Sequence, residues 1–300
     1  MGDLKLFRIK NEVKELVGTS VAIEKSVQTL IENNMETFFG IKFLASEYPT
    51  GKNHGGRIDS LGIDENYCPV ILEYKRALNE NVINQGLYYL DWLMDHKAEF
   101  KLLVMEKLGK DIADKIEWSM PRLLCIAGDF TKFDEYAVKQ INRNIELIRY
   151  KKYEDDLILF ELVNATTASQ TSIDDGTTKS NVYKTVTENL QQADKELQDM
   201  YYSIRDFILS LGDDIQEKVL KYYIAFKKIR NFACVEIYPK SKTILMYLNI
   251  NPDEVELEEG FTRDVRNIGH FGTGNLEVRI NSKDDFEKAK ELITKSYDEN

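Results

Sequence analysis

Between Asn164 and Ser180, eight of seventeen residues are Ser or Thr and none is aromatic. Such a stretch cannot bury enough apolar surface to offset the entropy of ordering it, so it divides the chain. The division predicts a first domain over 1–163, a Ser/Thr-rich linker over 164–181 and a second domain over 182–300. With 300 residues, 43% of them apolar, each part is long enough to enclose its own core.

Charge and cysteine usage narrow the class. The formal net charge is −11. The first 163 residues hold 22 basic and 27 acidic side chains, and the remainder holds 18 and 24. Neither part has the basic excess of a protein that coats nucleic acid regardless of sequence. No run of 18 apolar residues could cross a membrane, and Met1-Gly2-Asp3-Leu4-Lys5 opens no signal peptide. Cys68, Cys125 and Cys234 are isolated and the three histidines are scattered, which argues against disulfides and zinc. These features predict a reduced, cytoplasmic protein.

Periodicity predicts mixed α/β (α+β) structure. In the first part, strands are expected at Leu4–Ile9, Ile41–Tyr48, Gly56–Ile63, Cys68–Arg76, Arg122–Ala127, Ile145–Tyr150 and Leu157–Val163. Helices are expected at Val21–Phe39, Asn81–His96 and Phe133–Ile141. The second part predicts long helices at Val182–Leu211 and Asp213–Arg230. Strands follow at Phe232–Tyr238, Thr243–Ile250 and Leu276–Ile280, and Ser282 caps a last helix.

The chemistry concentrates in Gly56-Arg57-Ile58-Asp59-Ser60 and Val70-Ile71-Leu72-Glu73-Tyr74-Lys75. Side chains alternate along a strand, so Glu73 and Lys75 share a face and Leu72 and Tyr74 share the other. Two acids and a lysine converging on one sheet face are costly to bury without compensation. A divalent cation supplies it, because carboxylate oxygens suit Mg²⁺ and the ion binds substrate phosphate. Glu24 precedes them on a helix, and Gln85 and Tyr89 follow at a spacing of four, which places both on one helix face.

The ordered set Glu24, Asp59, Glu73-x-Lys75 and Gln85-x-x-x-Tyr89 resembles the PD-(D/E)xK nuclease superfamily, with its restriction-endonuclease-like mixed sheet flanked by helices. It is most similar to the RecB-type branch with the QxxxY helix and to NucS-type domains, over about residues 20–130. Ile58 stands where the motif's name has proline. The resemblance implies Asp59 and Glu73 as ligands for Mg²⁺ or Mn²⁺ and Lys75 as the catalytic lysine. It further implies Glu24 as an accessory catalytic acid, and Gln85 and Tyr89 as residues that contact DNA or orient the site. The wider run, with Glu65-Asn66, Asn81, Asn84-Gln85-Gly86 and Asp91-Trp92-Leu93, resembles a bacterial family carrying the label of predicted transport proteins. The absence of a membrane segment makes a transporter physically implausible and leaves at most a soluble accessory.

Other residues weigh less. His54 and Arg57, in the loop before Asp59, are candidates for phosphate contact, with a mobile turn as the plain alternative. Arg149, Lys151 and Lys152 are the densest basic group of the first part. Trp92 and Trp118 read as core. In the second part, Gly272-Thr273-Gly274 with Arg263 and His270 could meet a phosphate or simply form a tight turn. That region resembles a small bacterial domain of unknown function that often follows nuclease domains.

The function expected is metal-dependent hydrolysis of phosphodiester bonds, in DNA before RNA, within restriction, repair or defence. The alternatives are a catalytically silent binding module on a nuclease fold, and a regulatory subunit. Nucleic acid is the expected partner and a homodimer is compatible with the reading. The acidic surface would confine binding to a cleft, with few counterions released and a shallow salt dependence.

Overall fold

The computed structural model describes residues 4–20, 24–75, 82–166 and 184–300. The parts of the expected elements at Val21–Ile23 and Arg76–Asn81 lie outside the described residues, as does the linker from Thr167 onward. The chain separates into two compact units, Met1–Gln170 and Thr171–Asn300.

In the first unit, β1 (Leu6–Arg8) and β2 (Lys14–Leu16) form a separate two-stranded ribbon. Then come β3 (Gly18–Thr19), α1 (Glu24–Asn33), α2 (Met35–Phe39), β4 (Ile41–Pro49), α3 (Gly51–His54), β5 (Arg57–Asp64) and β6 (Pro69–Lys75). The unit continues with α4 (Val82–Asp95), α5 (Lys97–Leu108), α6 (Lys110–Ala113), β7 (Arg122–Ala127), α7 (Lys132–Lys139), β8 (Asn144–Tyr153) and β9 (Leu157–Thr166). The main sheet has the order β3-β8-β7-β6-β5-β4, with β9 along the other edge of β8. Strands β6, β7 and β8 are parallel, and the other pairings are antiparallel. Helices cover the sheet, making a mixed α+β layer structure. No helix among the described residues is long and apolar enough to cross a membrane.

Three expectations change here. The helix through Phe39 is interrupted at Asn34, where α2 begins as a separate turn that ends on Gly40 at φ 66°. The linker starts later than its composition implies: Asn164, Ala165 and Thr166 belong to β9, paired to Leu147, Glu146 and Ile145 of β8. Helices α5 and α6 occupy a stretch with no predicted element, because only Phe100 and Val104 of α5 are buried and no clear apolar stripe marks it.

The second unit begins with α8 (Val186–Gln192) and α9 (Lys195–Ser210). It continues with β10 (Gln216–Val219), β11 (Ile224–Lys227), β12 (Asn231–Tyr238), β13 (Thr243–Leu248), β14 (Thr262–Asp264), β15 (Leu276–Ile280) and α10 (Lys283–Glu299). Its six strands form an antiparallel sheet in the order β10-β11-β12-β13-β15-β14. The helix expected at Asp213–Arg230 is a β-hairpin instead. Its apolar residues fit either period, and antiparallel pairing decides. Ile224 and Phe226 enter the core opposite Val235 and Ala233, and intrinsic helix preference yields to that packing. Ser282 and Asp285 form a reciprocal capping box on α10.

A buried ionic group ties the first sheet together. The Arg122 guanidinium on β7 meets Asp64 Oδ2 at 2.8 Å and Glu146 Oε1 at 2.8 Å. All three side chains are at most 3% exposed. Asp64 Oδ1 accepts the Asn66 and Cys68 N–H groups, at 2.9 and 2.8 Å, closing the β5–β6 turn. Replacing Arg122 with Leu leaves two buried carboxylates without their cation. The expected loss is about 3–5 kcal/mol in chemical denaturation followed by a probe in this unit.

Candidate active site

The antiparallel ladder between β5 and β6 runs from Ile63 opposite Pro69 to Ser60 opposite Leu72 and stops there. At the next step Asp59 stands opposite Glu73, and side chains replace the backbone bonds. The Asp59 N–H donates to Glu73 Oε1 at 3.2 Å, and the Tyr74 N–H donates to Asp59 Oδ2 at 3.0 Å. This exchange turns both carboxyl groups to one face of the sheet, where the negative charge of Asp59 acts on Glu73. Glu73 is fully buried, beside Cys125 of the parallel strand β7. Its Oε2 atom has no hydrogen-bond donor among the described residues.

The other face of the same strands anchors Asp59 from behind. Tyr74 Oη donates to Ser60 Oγ at 3.1 Å, and Ser60 Oγ donates to Glu32 Oε1 at 2.6 Å. Gln28 Nε2 donates to that same Glu32 oxygen at 2.9 Å and to the Asp59 carbonyl at 2.8 Å. The sequence reading assigned no role to Gln28, Glu32 or Ser60. Their signal is the recurrence of Glu24, Gln28 and Glu32 every fourth residue, a polar stripe on a helix that packs on a sheet.

Electrostatics follow from burial. Loss of hydration pushes the Glu73 carboxyl up to about 9, and the negative charge of Asp59 adds to the shift. The Asp59 N–H and the Lys75 ammonium oppose it. Burial also raises Asp59, against the Tyr74 N–H and Lys75. At neutral pH the pair therefore retains a proton, carried on Glu73. An acid pair desolvated this far, with one oxygen lacking a donor, fits a hard divalent cation that would replace that proton. The described residues contain no cluster of three or more His, Cys, Asp or Glu side chains able to hold a metal.

The remaining candidates fall around this pair. Lys75 ends β6, half-buried, near enough for its charge to act on both carboxyls. Tyr89 is buried. Its hydroxyl accepts the Arg57 N–H at 3.2 Å and lies 3.4 Å from Gln85 Nε2. A Cβ on Gly56 would sit 2.6 Å from that hydroxyl, so glycine is what lets the start of β5 approach α4. Gln85 and Tyr89 thus position the strand carrying Asp59. The Arg57 side chain is exposed and lies 3.6 Å from Glu47, which also pairs with Lys25. His54 belongs to α3 rather than to a mobile loop and lies 4.0 Å from Asp91. Glu24 is the first residue of α1, one turn before Gln28, and its side chain is outside the described residues. Arg149 is held by Asp129 and Glu161. Trp92 is buried, and Trp118 packs on Phe100.

In the second unit the Gly272-Thr273-Gly274 segment is a packed turn. Gly272, at φ 79°, lies against Cys234, while Arg263 pairs with Glu277 and His270 stacks on Tyr247.

The buried pair makes stability pH-dependent in a definite sense. A carboxyl with a folded pKa above its unfolded value keeps a proton that the unfolded chain has already released. Its unfavourable contribution is absent below the unfolded value of 4.5 and grows as pH climbs toward about 9. Metal-free protein should lose stability over that range at about 1 kcal/mol per pH unit. Glu73→Gln should abolish this slope and melt higher than the parent at about pH 8, which urea titrations at several pH values would show.

Comparison with known proteins gives four matches. The crystal structure of a repair endonuclease from Pyrococcus abyssi is similar at 20% identity and a TM-score of 0.29, over 42% of this chain and 47% of that one. The structure of an EndoMS–dsDNA2 complex is similar at 20% identity and a TM-score of 0.25, over 48% of this chain and 59% of that one. A family model described as a domain of unknown function, DUF5655, matches residues 186–300. An uncharacterized protein of Haemophilus influenzae is 30% identical over 301 residues, spanning 97% of this chain and 98% of its own length. The chain belongs to the same family as that Haemophilus influenzae protein.

Proposed function

We propose that the first unit is a metal-dependent nuclease that hydrolyses phosphodiester bonds in nucleic acid, DNA before RNA. The observation that carries this reading is the pairing of Asp59 with Glu73, both desolvated, with one Glu73 oxygen lacking a donor. Folding alone gives no reason to bury two acids against each other, since a pair of apolar residues would be more stable there. Asp59 and Glu73 would hold Mg²⁺ or Mn²⁺, which when bound lowers the pKa of a water and neutralises charge on the scissile phosphate.

The chain's own residues do the rest. The Tyr74 N–H and the Gln28 amide fix Asp59 by its carboxylate and its carbonyl, and the Asp59 N–H fixes Glu73. Rigid carboxylates would fix the position of a bound cation, and with it that of a phosphate, relative to Lys75. The Lys75 ammonium donates hydrogen bonds to the attacking water or to the phosphoryl oxygens as negative charge develops there. Tyr89 and Gln85 hold the entry to β5, and Arg57, exposed at that entry, would meet a neighbouring phosphate.

The test is cleavage of double- and single-stranded DNA and of RNA with Mg²⁺ or Mn²⁺, using the full chain. Asp59→Ala and Lys75→Ala should each cut at least about 100-fold more slowly than wild type. Equal residual rates in all three proteins would mean a contaminating nuclease and sink the proposal. Independently of turnover, Mn²⁺ should raise the melting temperature of wild type and leave that of Glu73→Gln unchanged. Duplex binding and metal binding without any cleavage is the outcome expected of a silent binding module.

A further inference from the structure

Strand β4 breaks the alternation of its side chains at one residue. Ser46 Oγ accepts a hydrogen bond from Gln28 of α1 at 3.3 Å, on the face that α1 covers. Tyr48, two residues on, donates to Glu99 of α5 at 2.8 Å and lies against Trp92 of α4, on the other face. Residues i and i+2 of a regular strand share a face, so the chain has turned between them. Glu47 makes that turn, with φ at 51°. A left-handed backbone is unfavourable for a residue with a Cβ, and Glu lacks the short polar side chain with which Asn or Asp offsets the cost. Strain of this kind persists where the surroundings impose it, and it gathers at functional sites.

The turn brings Glu47 to two cations. The register sets it opposite Asp59, since Ser46 pairs with Ser60 and Tyr48 with Ile58. Its Oε1 atom lies 3.1 Å from Lys25 Nζ, and its Oε2 atom lies 3.6 Å from Arg57 Nε. Lys25 Nζ also donates to Gln28 Oε1 at 3.3 Å, and the Gln28 amide holds the Asp59 carbonyl. One carboxylate, 34% exposed, thus gathers a lysine from α1 and an arginine from the start of β5 beside the acid pair.

Stability does not account for this arrangement. The Lys25 and Arg57 side chains are 59% and 69% exposed, and ion pairs so open to water add little against the strain at Glu47. Recognition of an anion does account for it. A guanidinium has five donors and an ammonium three, so both cations keep donors after meeting one carboxylate. With Glu47 included, the group carries a net charge of +1. Two long side chains held in place beforehand lose less freedom when an anion binds. Successive phosphates of a strand advance by about 3.4 Å along the helix axis. Cations gathered one cross-strand step from Asp59, about 5 Å, therefore stand beside the next phosphate along the chain.

We propose that Glu47 is a positioning residue that holds Lys25 and Arg57 as a clamp for the phosphate next to the scissile one. The inference rests on the nuclease reading of Asp59 and Glu73 and narrows its substrate. The site takes a chain with at least two successive phosphates, not a lone phosphate ester. The planar Arg57 fork and the Lys25 ammonium donate charge-assisted hydrogen bonds to the non-bridging oxygens of that second phosphate.

The experiment uses the full chain with Mn²⁺ and a short DNA duplex cut at one mapped bond. Single phosphates on either side of that bond are replaced in turn by neutral methylphosphonates. Wild type should lose about tenfold in kcat/KM for one of these replacements, the worth of one charge-assisted contact. Lys25→Ala with Arg57→Ala should lose a similar factor on the unmodified duplex and nothing further on the modified one. Glu47→Gly relieves the left-handed strain, so it should melt no lower than the parent and yet raise KM about tenfold. If the double variant stays as sensitive as wild type to every methylphosphonate while wild type cleaves, the clamp is wrong and the nuclease reading stands. If Glu47→Gly melts lower and keeps its KM, the residue is structural and the positioning role is overturned. If Glu47→Gly instead abolishes the Mn²⁺-dependent rise in melting temperature, Glu47 is a ligand of the cation and the clamp is overturned. If wild type cuts no substrate, both readings fall.

Discussion

The first unit depends on a cation buried where four strands need a common reference. Arg122 is anchored on β7 and reaches Glu146 on β8 and Asp64 at the end of β5, while Asp64 also closes the turn into β6. A one-residue slip of any of these strands would turn its side chains to the wrong face and pull a carboxylate away from the guanidinium. The register set at this end is transmitted along β5 and β6 to the opposite end. There, five residues before Asp64 and four after Pro69, the two strands part and present Asp59 to Glu73. One end of the hairpin is electrically satisfied, and the other keeps a desolvated acid pair with one oxygen lacking a donor among the described residues. The contrast between them is what marks Asp59 and Glu73 as the candidate site.

That contrast also explains what was legible in the sequence. Glu73 is conspicuous because it interrupts the apolar run Val70-Ile71-Leu72, Asp59 because it lies on the strand before it, and alternation alone puts Glu73 and Lys75 on one face. Gln85 and Tyr89 were legible as a pair one helical turn apart. Their action was not: Tyr89 works through a backbone N–H on β5, a contact that depends on how α4 crosses the sheet. The Asp213–Arg230 hairpin was misread because its spacing of apolar residues satisfies both periods, and the deciding partner, β12, lies later in the chain. The linker boundary moved for a similar reason, since polar Asn164 and Thr166 are recruited into β9 by hydrogen bonds to the Glu135 and Arg143 carbonyls.

Net charge is an average over parts of the chain that differ. The deficit of 11 positive charges is spread over both units, whereas Lys25 and Arg57 stand together and exposed around Glu47. Screening over about 8–10 Å at physiological ionic strength means that a polyanion approaching them responds chiefly to its nearest cations. An acidic protein can therefore present a basic feature at one end of a sheet and still resist indiscriminate association elsewhere.

The closeness of Gly56 to the Tyr89 hydroxyl has a consequence for how this family can vary. With no room for a Cβ, the strand entry and the helix are interlocked like a key and its notch. A side chain gained at position 56 requires the tyrosine at 89 to move or shrink, and a shrunken residue there releases the Arg57 backbone and loosens the approach to Asp59. Substitutions at the two positions are therefore coupled, and their effects should not add.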